Sequence, residues 1–464
     1  MHNYKELTFT SILPIIVEKY AQNKALSFVD EEAITYAQMG KSIQAITAFL
    51  EDLQIKPKDK VVIYSRNMPN WGMLYLALNS MGAIVVPVLP DFNSHELNNV
   101  LNHSEAKAIF ISKSLEHKLK EIDNSSVESV IRLDNFETIR TENNKAIYNP
   151  KAGAKMSYST DENALAILIY TSGTTGDSKG VMLSQKNVII NAFQSSKMQS
   201  ISDKDRFLSV LPLSHTYENT IGFILPILHG AHITYLHKPP TPSILLPALK
   251  KVKPTFMLTV PMIIEKVYRN SVLKEINKKG TTRLLHKIQP TRKLLYYLAG
   301  KKLYKTFGGH LKFFGIGGAK LDGKVEQFLR DAKFPYAIGY GLTETAPILA
   351  GTSPSETKLQ AIGPKAVLCD LIIHQPNPKT GEGEIWAKGP NVMLGYYKNK
   401  AKTKEVMTDD GWFKTGDLGV FDKEGRLSHK GRLKNMIVGS NGENICSRIY
   451  CVREKRETSS YGSF

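Results

Sequence analysis

The residues best suited to chemistry lie at positions 170–180, between a short apolar run and the start of a helix. This stretch reads Tyr-Thr-Ser-Gly-Thr-Thr-Gly-Asp-Ser-Lys-Gly and combines three glycines and several hydroxyl side chains with one lysine, Lys179. Glycines let the backbone approach an anion closely and turn its N–H groups toward it, while hydroxyl and ammonium groups donate to phosphate oxygens. The stretch therefore predicts a polyphosphate-binding loop.

Two other interpretations of this loop are weaker. A flexible Ser/Gly/Thr linker would not be expected between a buried strand, residues 164–170, and a helix capped by Ser184. A Walker A loop requires the lysine directly after its last glycine, whereas Lys179 follows Gly176 by three positions.

A second glycine motif follows a short apolar strand predicted at residues 336–338. It contains Gly339, Tyr340, Gly341, Thr343 and Glu344. The tyrosine ring can lie flat against a purine, the threonine can bond a phosphate, and the carboxylate can hold Mg²⁺ beside a triphosphate. Alone, this motif would indicate only a turn; together with the first loop it predicts a nucleotide site.

Two further polar groups stand near the end of the chain. Asp417 follows Thr415 and Gly416, and its carboxylate could accept both hydroxyls of a ribose. Without the other motifs, a surface Asx-turn would explain it equally well. Arg432 and Lys434 then add two cations after a short loop.

In their order and rough spacing, these motifs resemble those of the adenylate-forming (AMP-binding) superfamily over about residues 10–445. Within it, the chain is most similar to long-chain fatty acid–CoA ligases. That similarity rests on residues 211–218 (Leu-Pro-Leu-Ser-His-Thr-Tyr-Glu), on Val260-Pro261 with 265–268, on a long basic insertion, and on residues 389–397 and 434–445.

The resemblance implies a role for each matching residue. Phosphate contacts are implied for Thr171, Ser172, Gly173, Thr174, Thr175, Gly176 and Lys179, with Thr343 at the α-phosphate. Mg²⁺ is implied at Thr171 and Glu344, adenine contacts at Gly318, Ala319 and Tyr340, and ribose contacts at Asp417 and Arg432. Gly339 and Gly341, on either side of Tyr340, are implied in ATP/AMP binding. His215 would stand by the acyl carboxylate, and Lys434 would be the hinge of a C-terminal domain. The residues implied in catalysis are Lys179, His215, Thr343, Glu344 and Lys434.

The implied reaction uses ATP, Mg²⁺ and CoA. A fatty acid carboxylate attacks the α-phosphorus of ATP, pyrophosphate leaves, and a thiol takes the acyl group from acyl-AMP. Such chemistry needs positioning and charge stabilisation more than acid–base groups. An acyl-carrier protein as the acceptor, and a non-catalytic remnant that binds ATP or fatty acid, both remain open.

Two features depart from the family pattern. Ile338 stands where the family usually has Gln or Glu, which predicts the loss of one polar contact near the substrate. Residues 446–464 show neither helical nor strand periodicity and do not continue the family pattern, so we expect an out-of-frame tail and a missing lid domain. This would impair the enzyme, and thioester formation above all. A genuine short C-terminus is the weaker alternative.

Composition and periodicity predict an α/β fold. The 464 residues are 42% hydrophobic and 22% charged, with three cysteines, no apolar leader and no long apolar span, which is typical of a cytoplasmic protein. Apolar strands alternating with amphipathic helices predict two doubly wound parallel-sheet subdomains, followed by a small antiparallel barrel. The predicted domains are residues 1–430 for adenylation, 431–445 for the hinge, and 446–464 for the tail.

The formal charge of +18 is concentrated in one segment. Residues 266–312 hold thirteen Lys and Arg residues against a single acid, Glu275. No motif of nucleic-acid recognition accompanies them, so no nucleic acid partner is expected. The residues fit either a solvated helix face or peripheral contact with an anionic membrane, centred on 284–298.

Overall fold

A computed structural model describes residues 6–122, 127–142, 146–154, 158, 160–171, 179–433, 436–438 and 444–446. Its α-helices are α1 (Phe9–Lys19), α2 (Tyr36–Asp52), α3 (Pro69–Ser80), α4 (Ser94–Ser104), α5 (Gln185–Met198), α6 (Leu225–Leu228), α7 (Pro242–Val252), α8 (Pro261–Val267), α9 (Lys274–Asn277), α10 (Gly280–Leu285), α11 (Gln289–Thr306), α12 (Gly323–Asp331) and α13 (Lys400–Val406).

The strands alternate with these helices along much of the chain. They are β1 (Lys24–Phe28), β2 (Ile34–Thr35), β3 (Lys60–Tyr64), β4 (Ile84–Val88), β5 (Ala108–Ile111), β6 (Ser129–Arg132), β7 (Glu137–Thr141), β8 (Leu165–Thr171), β9 (Lys179–Ser184), β10 (Arg206–Ser209), β11 (His232–Tyr235), β12 (Phe256–Thr259), β13 (Phe313–Ile316), β14 (Tyr336–Gly341), β15 (Ile348–Gly351), β16 (Asp370–His374), β17 (Gly383–Lys388), β18 (Gly395–Tyr396), β19 (Phe413–Phe421), β20 (Leu427–Arg432), β21 (Met436–Val438) and β22 (Asn444–Cys446).

Two large mixed sheets carry the fold. The first large sheet has the order β18-β9-β8-β4-β3-β5-β6-β7, and the second large sheet has the order β15-β14-β13-β12-β10-β11-β1-β2. Their central strands pair in parallel, and the antiparallel pairs lie toward the edges. The predicted α/β class with two doubly wound units is confirmed, and the small antiparallel unit is a four-stranded sheet, β16-β17-β19-β20.

Helices between the two large sheets provide the main core. On α3, Trp71 stacks on Tyr75 with ring centroids 5.4 Å apart, and Phe223 meets both rings edge-on. A side chain at Gly72 would collide with Phe223, at 2.6 Å, so the helix can approach this ring only through glycine. Burying these aromatic rings fixes how the first sheet's helices meet the second sheet.

The basic segment forms separate helices rather than one interrupted helix. Pro290 stands in the first turn of α11, where its missing N–H costs no helical hydrogen bond, so it begins this helix. Among the described residues, no helix is both long enough and apolar enough to cross a membrane.

Candidate functional site

The predicted phosphate loop connects two paired antiparallel strands. Thr171, the last residue of β8, is the cross-strand partner of Lys179, the first residue of β9. The intervening residues Ser172, Gly173, Thr174, Thr175 and Gly176 lie outside the described residues, and their phosphate contacts stay a prediction. Ser184, the last residue of β9, caps α5 by accepting from the backbone N–H of Asn187, as expected.

The second glycine motif continues β14 instead of following it. Gly339 and Gly341 pair with β15, and a 3₁₀ turn, Thr343–Thr345, then carries Glu344. Buried amide side chains hold the chain just beyond this turn. Asn191 bonds both the N–H and the C=O of Ile348, at 2.9 and 2.8 Å, and Asn391 donates to the carbonyl of Thr345 at 2.9 Å.

The Glu344 carboxylate accepts a hydrogen bond from the Tyr396 hydroxyl, with 2.8 Å between Oε1 and the phenol oxygen. Lys179 Nζ lies 5.8 Å from the centre of the same ring, within the range of a cation–π contact. Burial, with the neighbouring Glu344 charge, raises the pKa of Tyr396, so its hydroxyl stays protonated. A carboxylate suited to Mg²⁺ and an ammonium suited to phosphate therefore both lie next to the Tyr396 side chain.

Asp417 connects the small sheet to the second glycine motif. Its Oδ2 accepts from the Tyr340 hydroxyl at 2.9 Å, and Arg432, its cross-strand partner, places Nε 3.1 Å from Oδ1. The carboxylate is buried, yet Oδ1 has no hydrogen bond of good geometry within the described residues. An acceptor left in this state fits the hydroxyls of a ribose.

The remaining predicted nucleotide contacts lie at the end of β13. Gly318 has a φ of +85°, a backbone conformation that favours glycine, and both Gly318 and Ala319 are exposed beside the end of β14. Neighbouring parallel strands thus present their carboxyl ends together, as in other open α/β sheets that bind ligands there. Lys434 lies outside the described residues, and its hinge role stays a prediction.

His215 lies in the segment that follows β10, and its side chain is exposed. Its Nδ1 receives a weak contact from the backbone N–H of Tyr217 at 3.4 Å. Desolvation of the ring by surrounding protein atoms lowers the pKa of His215, so the neutral imidazole is favoured. Within the described part of the chain, His215 forms no hydrogen bond with Lys179, Glu344 or Asp417.

An apolar cavity reaches the second glycine motif, because Gly339 is part of its lining. It lies between α5 and the strands β12 to β15 and opens to solvent. Its lining includes Tyr217, Phe256, Phe313, Ile338 and Gly339. Ile338, predicted to replace a polar contact, is one of the apolar wall residues.

The family model described as AMP-binding enzyme matches residues 15–397, more than four-fifths of the chain. The chain belongs to the AMP-binding enzyme family. It is 27% identical over 454 residues to a peroxisomal long chain acyl-CoA synthetase of Arabidopsis thaliana, covering 90% of this chain and 64% of the relative. It is 29% identical over 448 residues to a long-chain-fatty-acid–CoA ligase of Mycobacterium bovis, covering 90% and 72%.

Solved structures agree on the fold of this AMP-binding chain. The o-succinylbenzoate coenzyme A synthetase of Bacillus subtilis in complex with AMP superposes with a TM-score of 0.74 at 23% identity, covering 94% of this chain and 81% of that one. This likeness shows the fold alone. The chain spans about two thirds of the length of the first curated relatives that it matches.

Sequence reasoning missed several positioning groups in this AMP-binding domain. The sequence pattern includes Asn391 and Tyr396 only as parts of the matching segment 389–397 and gives them no role, and it does not single out Asn191. Glu384 was also missed, although it accepts from the backbone N–H of Gly416 at 3.0 Å and so fixes the turn before Asp417. The only local signal was Gly-Glu-Gly-Glu at residues 381–384; the other contacts are made across long sequence separations.

A buried carboxylate just after His215 predicts a pH effect on stability. Glu218 lies among apolar groups, and this burial raises its pKa to about 8, although Ser209 donates to it at 2.6 Å. The folded protein therefore holds this proton more tightly than the unfolded chain does. Between about pH 4.5 and pH 8, stability should fall with rising pH, by up to roughly 1.4 kcal/mol per pH unit from this group.

The Glu218→Gln variant keeps the neutral shape and removes the titration. We expect the melting temperature of the wild type to fall relative to that of this variant as pH rises from 5 to 8. Above pH 8 the difference between the two melting temperatures should stay constant. Parallel melting temperatures over the whole range would show that Glu218 is not protonated in the folded protein.

Proposed function

We propose that this chain binds ATP with Mg²⁺ and activates a long-chain fatty acid as acyl-AMP, for transfer to CoA. The observation that carries the proposal is the grouping of Lys179, Glu344 and Asp417 around the strand ends next to an apolar cavity. Relatives named as long-chain acyl-CoA synthetases support the substrate class. An acyl-carrier protein in place of CoA, and an ATP- or acid-binding chain without catalysis, are distinguished by the experiment below.

The site residues divide the work of adenylation. Asp417 would accept from the ribose hydroxyls, and Lys179 and Thr343 would face the phosphates. Thr171 and Glu344 would hold Mg²⁺, which neutralises phosphate charge when bound. The apolar walls would place the acyl chain with its carboxylate toward His215, whose neutral ring can hydrogen-bond without an ion pair.

The proposal is tested with ATP, Mg²⁺, oleate and labelled pyrophosphate. We expect oleate-dependent ATP–pyrophosphate exchange and saturable ATP binding by titration calorimetry. Binding without exchange would favour the non-catalytic alternative, and absence of both would exclude the function. Adding CoA or an acyl-carrier protein then identifies the acceptor; slow exchange without thioester formation would fit the expected impairment.

We also propose that the basic segment meets an anionic membrane surface, where a water-insoluble acid would be found. On α11, Tyr296, Gly300 and Leu303 are buried, whereas Leu294 and Leu298 on the opposite side are 58% and 54% exposed. Cations surround this outward stripe, and each can add about 1 kcal/mol of attraction to an anionic bilayer at low salt.

Vesicle co-sedimentation tests this surface. We expect recovery with phosphatidylserine-containing vesicles, weaker recovery at high salt, and little with phosphatidylcholine alone. The double variant Leu294→Gln/Leu298→Gln should reduce recovery, while Leu368→Gln, with 58% exposure elsewhere, should not. Equal recovery on neutral and anionic vesicles would instead favour a solvated helix face.

A further inference from the structure

A short segment before α13 connects the two halves of the candidate site. The N–H of Met393 donates to the carbonyl of Glu344 at 2.8 Å. Four residues later, the N–H of Tyr397 donates to the carbonyl of Gly180 at 2.8 Å, and β18 pairs with β9 between these points. The magnesium-binding turn and the strand that starts at Lys179 are therefore joined by one piece of chain.

Tyr396 is the side chain of this segment that touches both halves. Its hydroxyl donates to Oε1 of Glu344, and its ring faces Lys179, as described above. The side chain is only 6% exposed, and its backbone N–H is fixed on the Thr403 hydroxyl at 2.9 Å. A buried ring with an anchored backbone has little rotational freedom, so it can hold its two neighbours precisely.

The two contacts of Tyr396 hold two residues with different proposed partners: Glu344 for Mg²⁺ and Lys179 for phosphate. Donation to Oε1 fixes the plane of the Glu344 carboxylate, and among the described residues nothing hydrogen-bonds its other oxygen, Oε2. That oxygen is left for a cation. The negative face of the ring attracts the Lys179 ammonium, which forms no ion pair with any carboxylate in the described part of the chain.

We propose that Tyr396 is a positioning residue that sets the separation between the magnesium-binding carboxylate and the phosphate-binding ammonium. In this role it acts through its contacts with Glu344 and Lys179 and not as a catalytic group. The proposal rests on the proposed function, because it assigns Glu344 to Mg²⁺ and Lys179 to phosphate. It adds a residue that local sequence pattern does not single out.

The test measures ATP binding by calorimetry as a function of Mg²⁺ concentration, with no turnover required. Tyr396→Phe removes only the hydroxyl and keeps the ring near Lys179. We expect the Mg²⁺ concentration for half-maximal ATP binding to rise about tenfold, the scale of a lost hydrogen bond to a charged group. ATP affinity without Mg²⁺ should not change, which separates positioning from general loss of structure.

Tyr397→Phe is the matched control. This neighbouring ring packs edge-on against His103 and lies near Lys398, away from Glu344, so its Mg²⁺ requirement should equal that of the wild type. A cycle with Glu344→Gln completes the design. Because Tyr396 acts on Mg²⁺ through Glu344, ATP binding by the double variant Tyr396→Phe/Glu344→Gln should respond to Mg²⁺ as weakly as ATP binding by Glu344→Gln alone.

The outcomes are distinct. An unchanged Mg²⁺ requirement in Tyr396→Phe, an equal rise in Tyr397→Phe, or full additivity with Glu344→Gln would each overturn the positioning role while leaving ATP binding intact. Wild-type protein that binds no ATP at any Mg²⁺ concentration would instead overturn the proposed function, and this inference with it.

Discussion

Glu344→Gln is expected to reduce oleate-dependent ATP–pyrophosphate exchange by roughly 10²–10³-fold, the usual effect of removing one preorganised electrostatic partner. The glutamine keeps the size of the side chain and can still accept from Tyr396. It loses the negative charge that would hold Mg²⁺ against the triphosphate. ATP binding should therefore become nearly independent of Mg²⁺, as calorimetry with Mg²⁺ and with EDTA would show.

A second carboxylate provides the control for this experiment. Glu32 is exposed in the turn between β1 and β2, far along the second large sheet from Glu344. Glu32→Gln removes the same charge from the protein and should leave both exchange and Mg²⁺ dependence unchanged. If Glu344→Gln also behaved as the wild type, Mg²⁺ would have to be held by other groups.

The local sequence pattern predicts an element of this fold well when the apolar residues of that element alone determine it. The apolar run Lys60–Tyr64 has the composition of a buried strand and forms β3, and Ser184 caps α5 as its position indicates. The local sequence pattern is insufficient where pairing with a distant strand determines the secondary structure. The residues Gly339–Gly341 have the sequence of a turn, yet they extend β14 because β15 supplies the hydrogen bonds.

The candidate site divides in the same way. Residues with distinctive chemistry, such as Glu344 and Asp417, are visible in the sequence because glycines surround them. Their supports are not, since Tyr396 is 52 positions from Glu344 and Asn191 is 157 positions from Ile348. Amide and phenol side chains in ordinary helices and in a two-residue strand leave no periodic signal.

Gly341→Ala is expected to destabilise the protein by about 3 kcal/mol or more and to abolish ATP binding, because a methyl group there meets only backbone. A Cβ at this position would overlap the carbonyl oxygen of Pro347. That carbonyl cannot move freely: it accepts from the N–H of Leu342 at 3.1 Å, and Asn191 fixes the next residue. Relief would have to displace the turn that carries Glu344.

Denaturant unfolding measures this effect, with Gly280→Ala as the matched control. Gly280 begins α10, and a Cβ there has no neighbour within 4 Å, so alanine should leave stability unchanged or raise it by up to about 1 kcal/mol. Both variants add one methyl group in place of a glycine hydrogen. They differ in whether backbone atoms already occupy the position of the new methyl group. An equal free energy of unfolding for the two variants would mean that the turn after β14 can relax away from Pro347. In that case Glu344 would not depend on a rigid turn, and Gly341→Ala should retain Mg²⁺-dependent ATP binding.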